Sequence, residues 1–146
     1  MSGYSGTPLA TKLGISAGSR VFVQGAPQNY DTLVAPLPAR VTRASSIDAN
    51  TDLIHLFVVR RTRLAAQLRT AVQRMRSDAC IWVSWPKRAC GVATDVTEDV
   101  IRELALPMRL VDIKVCAFDE TWSGLKLVIR KSVRIAATVR QPVRRK

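Results

Sequence analysis

The sequence predicts an α/β domain: a mostly parallel sheet between two helical layers, closed by an antiparallel β-hairpin. Three observations carry that expectation. The run Ala79–Trp85, stopped by Pro86-Lys87, is continuously apolar and rich in β-branched and aromatic residues, as a strand buried on both faces must be. Strand-like and helix-like stretches alternate along the chain, the order that builds parallel strands through crossovers. The last two strand-like stretches, Leu110–Phe118 and Gly124–Lys131, are joined only by the tight loop Asp119–Ser123, so they pair as a hairpin.

Taken in order, residues 1–18 read as an N-terminal arm. Gly3-Tyr4-Ser5-Gly6 is an open start, Thr7 is a cap for a short helix with Pro8 at its first position, and Gly14 stands just past its end. Such an entry either holds an anion on free N–H groups or is a capped helix covering a sheet edge. Residues 19–131 read as one α/β domain. Ser19–Gln24 is its first strand, Gln28–Ala35 a helical stretch ended by Pro36 and Pro38, and Ala39–Arg43 a short strand. The second strong strand is Asp52–Val59. In Arg60–Arg76, Leu64, Leu68, Ala71 and Met75 recur at helical spacing and form one buried stripe. After a loop at Arg88–Ala93, Thr94 or Asp95 caps a helix running to Leu106, with Val96, Val100, Ile101 and Leu104 inward and Asp95, Glu98 and Asp99 at its positive end. Residues 132–146 are a basic tail.

At 146 residues, 47% of them hydrophobic, the chain has the material for one core. No apolar run approaches a membrane span, and the N-terminal residues show neither a secretory signal nor a myristoylation glycine. Cys80, Cys90 and Cys116 have no C-x-x-C spacing and read as reduced thiols, which points to the cytoplasm. A single histidine argues against a His-based zinc site, so no metal is expected. The net charge of +12 is unevenly spread. From Arg130 to Lys146 there are seven cations and no acid, whereas seven acids lie between Asp95 and Glu120. That asymmetry favours nucleic acid or another polyanion as partner. The contact surface would comprise Arg60, Arg61, Arg63 and Arg69 of the helix, in a stretch without an acid from Leu53 to Ser77, and Arg140, Arg144, Arg145 and Lys146 of the tail. The alternative is a solvated face beside the acidic helix.

The strand–helix order with a terminal hairpin resembles, over Ser19–Lys131, the class I methyltransferase variant of the Rossmann fold. That resemblance implies S-adenosylmethionine as a possible cofactor by fold analogy alone; the residues themselves identify none. A dinucleotide-type fold carries G-x-G-x-x-G after its first strand, and here the loop is Gly25-Ala26-Pro27, with one glycine. Longer phrases, among them Trp82-Val83-Ser84-Trp85-Pro86-Lys87 and Trp122-Ser123-Gly124-Leu125-Lys126-Leu127-Val128-Ile129-Arg130, resemble a family of small bacterial proteins known as a domain of unknown function (the DUF 3052 type). That likeness implies no activity, substrate or catalytic residue.

In a parallel sheet the loops after Gln24, Val59, Trp85 and Phe118 emerge at one end, where such folds bind ligands. Gly25, Trp85, Lys87, Arg88 and Trp122 are therefore the ligand-binding candidates around one crevice. Asp119, Glu120 and Lys87 are the catalytic candidates, as general base, its partner and an anion ligand. Each has a plainer reading: the acids turn the hairpin, Lys87 pairs with an acid such as Glu120, and Trp122 plugs the sheet edge. His55 reads as a core histidine or a buried proton carrier. Ser84 lacks the G-x-S-x-G pattern of a nucleophile. Cys80 and Cys116 are expected to pack, and Cys90 is the more reactive thiol. The sequence favours a non-catalytic binding module for an anionic partner. The alternatives are a small-molecule-dependent enzyme such as a transferase, acting in the crevice, and a structural subunit docked into a larger assembly by its basic tail.

Overall fold

The computed structural model describes residues 7–130. Its centre is a six-stranded sheet: β1 (Arg20–Gln24), β2 (Thr42–Ala44), β3 (Leu53–Phe57), β4 (Cys80–Pro86), β5 (Leu110–Ala117) and β6 (Trp122–Ile129). The spatial order is β2-β1-β3-β4-β6-β5. The first four strands run parallel, and β6 is antiparallel to both β4 and β5. The fold is thus the methyltransferase-like α/β arrangement expected, a parallel core ending in a hairpin. Among the described residues no helix is long and apolar enough to cross a membrane.

Each sheet face has its own core, because side chains alternate along a strand. The helices α3 (Arg61–Arg74) and α4 (Glu98–Ala105) cover one face. There Leu64, Leu68, Ala71 and Met75, the expected stripe, pack with Ile54, Leu56, Ile81, Val83 and Trp85. The short helices α1 (Leu9–Leu13) and α2 (Tyr30–Val34) cover the other. Leu13, Tyr30 and Val34 meet Leu53, Phe57, Trp82 and Phe118 there. The buried Trp82 fixes α1 to the sheet by donating its indole N–H to Leu13 O at 2.8 Å.

Several boundaries differ from the sequence expectation. Helix α1 starts at Leu9 with Pro8 as its cap residue, so Thr7 is not the cap. Gly14 does end it, in a left-handed conformation at φ 88°, with Gly14 N–H bonded to Thr11 O and Ile15 N–H to Ala10 O. Helix α2 is shorter than Gln28–Ala35, and β2 lies three residues later than Ala39. The cap of α4 is Thr97, whose hydroxyl accepts from Val100 N–H, rather than Thr94 or Asp95. Those two residues are used elsewhere. Thr94 Oγ1 donates to Val59 O at 2.8 Å, and Asp95 Oδ1 accepts from Arg61 N–H at 2.6 Å, so Asp95 caps α3 from 34 residues away.

Candidate functional site

The four loops do leave one end of the sheet. Pro86 pairs with Trp122, and Lys87 N–H donates to Thr121 O at 2.7 Å, which ties the end of β4 to the hairpin loop. They do not surround one crevice, however. Trp85 pairs with Ser123 while Trp122 pairs with Pro86, one step along, so the two indoles lie on opposite faces. Trp85 belongs to the α3–α4 core and Trp122 packs against the α1–α2 core.

On the α1–α2 face the expected site residues are built into structure. Trp122 meets Phe57 edge-on, ring centroids 5.1 Å apart, and Phe57, Tyr30, His55 and Phe118 continue the aromatic cluster. Asp119 Oδ1 accepts from the N–H groups of Thr121 and Trp122 at 2.9 and 2.8 Å, the bonding of a turn-forming carboxylate. Glu120 is exposed beside it. Behind the cluster His55 is wholly buried. Its Nδ1 shares a hydrogen bond with Tyr30 Oη at 3.1 Å and its Nε2 one with Ser84 Oγ at 2.8 Å. Burial pushes the imidazole down to about 3 and the Tyr30 phenol well above its ordinary range, so both are neutral. Burial also raises the Cys80 and Cys116 thiols.

The order β2-β1-β3 makes the ends of β1 and β3 the topological switch point, where open α/β sheets bind ligands. There Gly25 sits at φ 77°, and a Cβ on it would stand 2.6 Å from Phe57 O, so the neighbouring strand requires the glycine.

Open volume lies one strand further over. A recess of about 690 Å³ runs along the carboxyl end of β4, between Trp85, Pro86 and Arg88 on one side and Thr97, Glu98, Asp99 and Arg102 of the α4 terminus on the other. Its wall is fixed by the bonds of Thr94 to Val59 and of Asp95 to α3. Within it Arg102 is gripped by Glu98, by Asp99 at 3.5 Å and by Asp112 at 3.1 Å, which leaves more carboxylate than guanidinium on that side. Arg88 is exposed at the mouth, so the recess offers an aromatic wall, a carboxylate side and a second cation besides Arg102. Trp85 and Arg88, two of the expected ligand-binding candidates, line this recess. Glu98, Asp99 and Arg102 were not among the candidates, because acids at a helix start already have a reason to be there.

A second cavity of about 270 Å³ lies between α3 and the sheet over Phe22, Leu56 and Ile47. Gln67 lines it, and its Oε1 is buried with no hydrogen-bond partner among the described residues. Along α3, Arg61 pairs with Glu103 at 2.7 Å, whereas Arg60, Arg63 and Arg69 are exposed and make no ion pair among the described residues. Arg140, Arg144, Arg145 and Lys146 lie outside the described residues.

Compared with family models and with curated protein sequences, the chain has no match. Solved structures are similar in fold. A SAM-dependent methyltransferase from Aquifex aeolicus superimposes at TM-score 0.57 with 11% identity, over 84% of this chain and 88% of that one. The fibrillarin of Aeropyrum pernix with bound S-adenosylmethionine gives 0.53 and 13%, over 82% and 73%. A tRNA methyltransferase of B. subtilis gives 0.52 and 12%, over 84% of this chain but only 65% of its own length. This chain therefore has the Rossmann-like scaffold of S-adenosylmethionine-dependent methyltransferases. Its loop after β1 does not fit a nucleotide cradle: Gly25 is claimed by Phe57 O, Pro27 has no N–H, and Pro27 O is bonded to Tyr30 N–H. About twenty residues further on, where a ribose-binding carboxylate stands in dinucleotide folds, this chain has Ser45 and Ser46.

Proposed function

We propose that this chain is a small-molecule-dependent enzyme of the transferase type, with its ligand seated in the recess beneath Trp85. The observation that carries the reading is the placement of that recess: a 690 Å³ space at the carboxyl edge of a methyltransferase-type sheet, one strand from the topological switch point. Its lining selects a compact ligand with an apolar or aromatic portion to lie on Trp85 and Val92 and a polar, cationic portion to face Glu98 and Asp99. S-adenosylmethionine comes to this chain by likeness of fold alone, and the β1 loop gives it no cradle. The test is a thermal-shift screen with S-adenosylmethionine, its demethylated product and common nucleotides, in the wild type and in Trp85→Ala. A true ligand at a hundred times its dissociation constant adds about 2.7 kcal/mol of stability. The reading requires a stabilising compound whose effect disappears in Trp85→Ala; flat melting curves throughout the panel count against it.

A second reading is binding to a polyanion such as nucleic acid, and it rests on Arg60, Arg63 and Arg69. Three exposed arginines that make no ion pair among the described residues are a surface for phosphates. Oligonucleotide affinity that falls linearly with the logarithm of salt, with a smaller slope in the triple Ala variant, supports it; absence of affinity at low salt refutes it.

A further inference from the structure

At the amino-terminal end of the sheet, opposite the recess, lies a polar cup of about 460 Å³ lined by Gly14, Ser16, Gly18, Arg76, Asp78 and Lys126, with Asp52 at its side. Most charges in it are answered from within. Arg76 is bound to Asp52 and, at 2.5 Å, to Asp78, and Asp52 also accepts from Arg20 N–H at 2.7 Å.

Lys126 is the exception. It is partly buried and makes no hydrogen bond or ion pair with any described residue. Its register partner on β5 is Lys114, so two like charges stand opposite each other on neighbouring strands, an arrangement that destabilises a sheet. Lys114 Nζ is occupied by Lys12 O at 3.1 Å. Lys126 Nζ instead lies over the turn after α1, 3.5 Å from where a Cβ on Gly14 would stand. That turn carries small residues and hydroxyls: Gly14 and Gly18 at positive φ, Ser16, and Ser19, whose Oγ accepts from Ser16 N–H at 3.0 Å. Lys126 is thus a half-buried ammonium that no described carboxylate bonds, in a cup that also holds the hydroxyls of Ser16 and Ser19, and a direct anionic ligand would give it the charge-assisted bond it does not make within the fold.

We propose that this cup binds a phosphate group, either free or as the monoester of a small molecule, with Lys126 Nζ as its charged ligand and Ser16 as a hydrogen-bonding one. The site is independent of the recess, since the two occupy opposite ends of the sheet.

The test is a titration of the full chain with inorganic phosphate at ionic strength held constant with sodium chloride, followed through the ¹⁵N amide shifts of Gly14, Ser16 and Gly18. Saturable shifts at those amides are expected, and acetate at the same ionic strength should leave them in place. Lys126→Met should weaken phosphate binding at least tenfold while leaving the unliganded melting temperature unchanged or raised, because it removes a cation opposite Lys114. Ser16→Ala should weaken binding with the fold intact. Shifts that never saturate, an equal response to acetate, or unchanged phosphate binding in Lys126→Met would overturn the assignment. Phenyl phosphate displacing inorganic phosphate from the same amides extends the site to monoesters; failure to displace restricts it to the free ion.

Discussion

Replacing Gly25 with alanine separates a structural glycine from a ligand-cradling one. Alanine in the left-handed region costs about 1–2 kcal/mol. The new Cβ would also stand 2.6 Å from Phe57 O, and both partners are backbone, so neither yields as a flexible side chain does. Overpacking of that kind costs about 1–3 kcal/mol. Together the substitution should destabilise the fold by about 2–5 kcal/mol, or roughly 5–15 °C in a chain of this size. Gly91→Ala is the control. Gly91 also has a positive φ, 79°, but nothing lies within 4 Å of its Cβ position, so only the first cost applies. Urea denaturation of both variants measures the difference, with the midpoint moving at constant slope. If Gly25→Ala unfolds at the wild-type midpoint and instead loses a small-molecule response, Gly25 is not a structural glycine.

Two further predictions follow from buried or borrowed polar groups. The folded pKa of His55 lies near 3, below its unfolded value, so the unfolded chain binds the proton first and stability falls as pH drops below about 6.5. The slope approaches about 1.4 kcal/mol per pH unit. Urea midpoints between pH 6.5 and 4.5 should show it, and His55→Asn should lose most of it; an equally steep variant would remove His55 as the cause. Asp95→Ala should cost about 1 kcal/mol through the uncapped N-terminus of α3, as a local cap would, and unchanged thermal stability would show that the bond from Asp95 is replaced by water.

The strands were legible where burial leaves one composition open to them. Residues 79–85, all apolar but Ser84, are buried on both faces because the parallel sheet is covered on both, and the Leu64–Met75 stripe is the matching face of α3. The start of α4 was not legible for a physical reason. Thr94 and Asp95 are good capping residues, but they serve Val59 O and Arg61 N–H across the fold, and only the third candidate, Thr97, caps its own helix. The candidate site failed in the same way. That Trp85 and Trp122 share an end followed from strand direction, while their separation onto two faces depends on a one-residue register that no local pattern encodes. Asp119 and Glu120 drew attention as acids in a loop at the ligand-binding end, and Asp119 is spent on two backbone N–H groups of its own turn.

The most direct test of the proposed site is a ¹H–¹⁵N spectrum recorded with each compound of the ligand panel. Trp82, Trp85 and Trp122 give three indole signals that serve as position markers. A binding compound should move the Trp85 indole and the amides of Thr97–Asp99 while the Gly25–Asn29 amides stay in place. Movement centred on Gly25–Asn29 with Trp85 undisturbed would contradict it, and so would a panel that moves none of these signals.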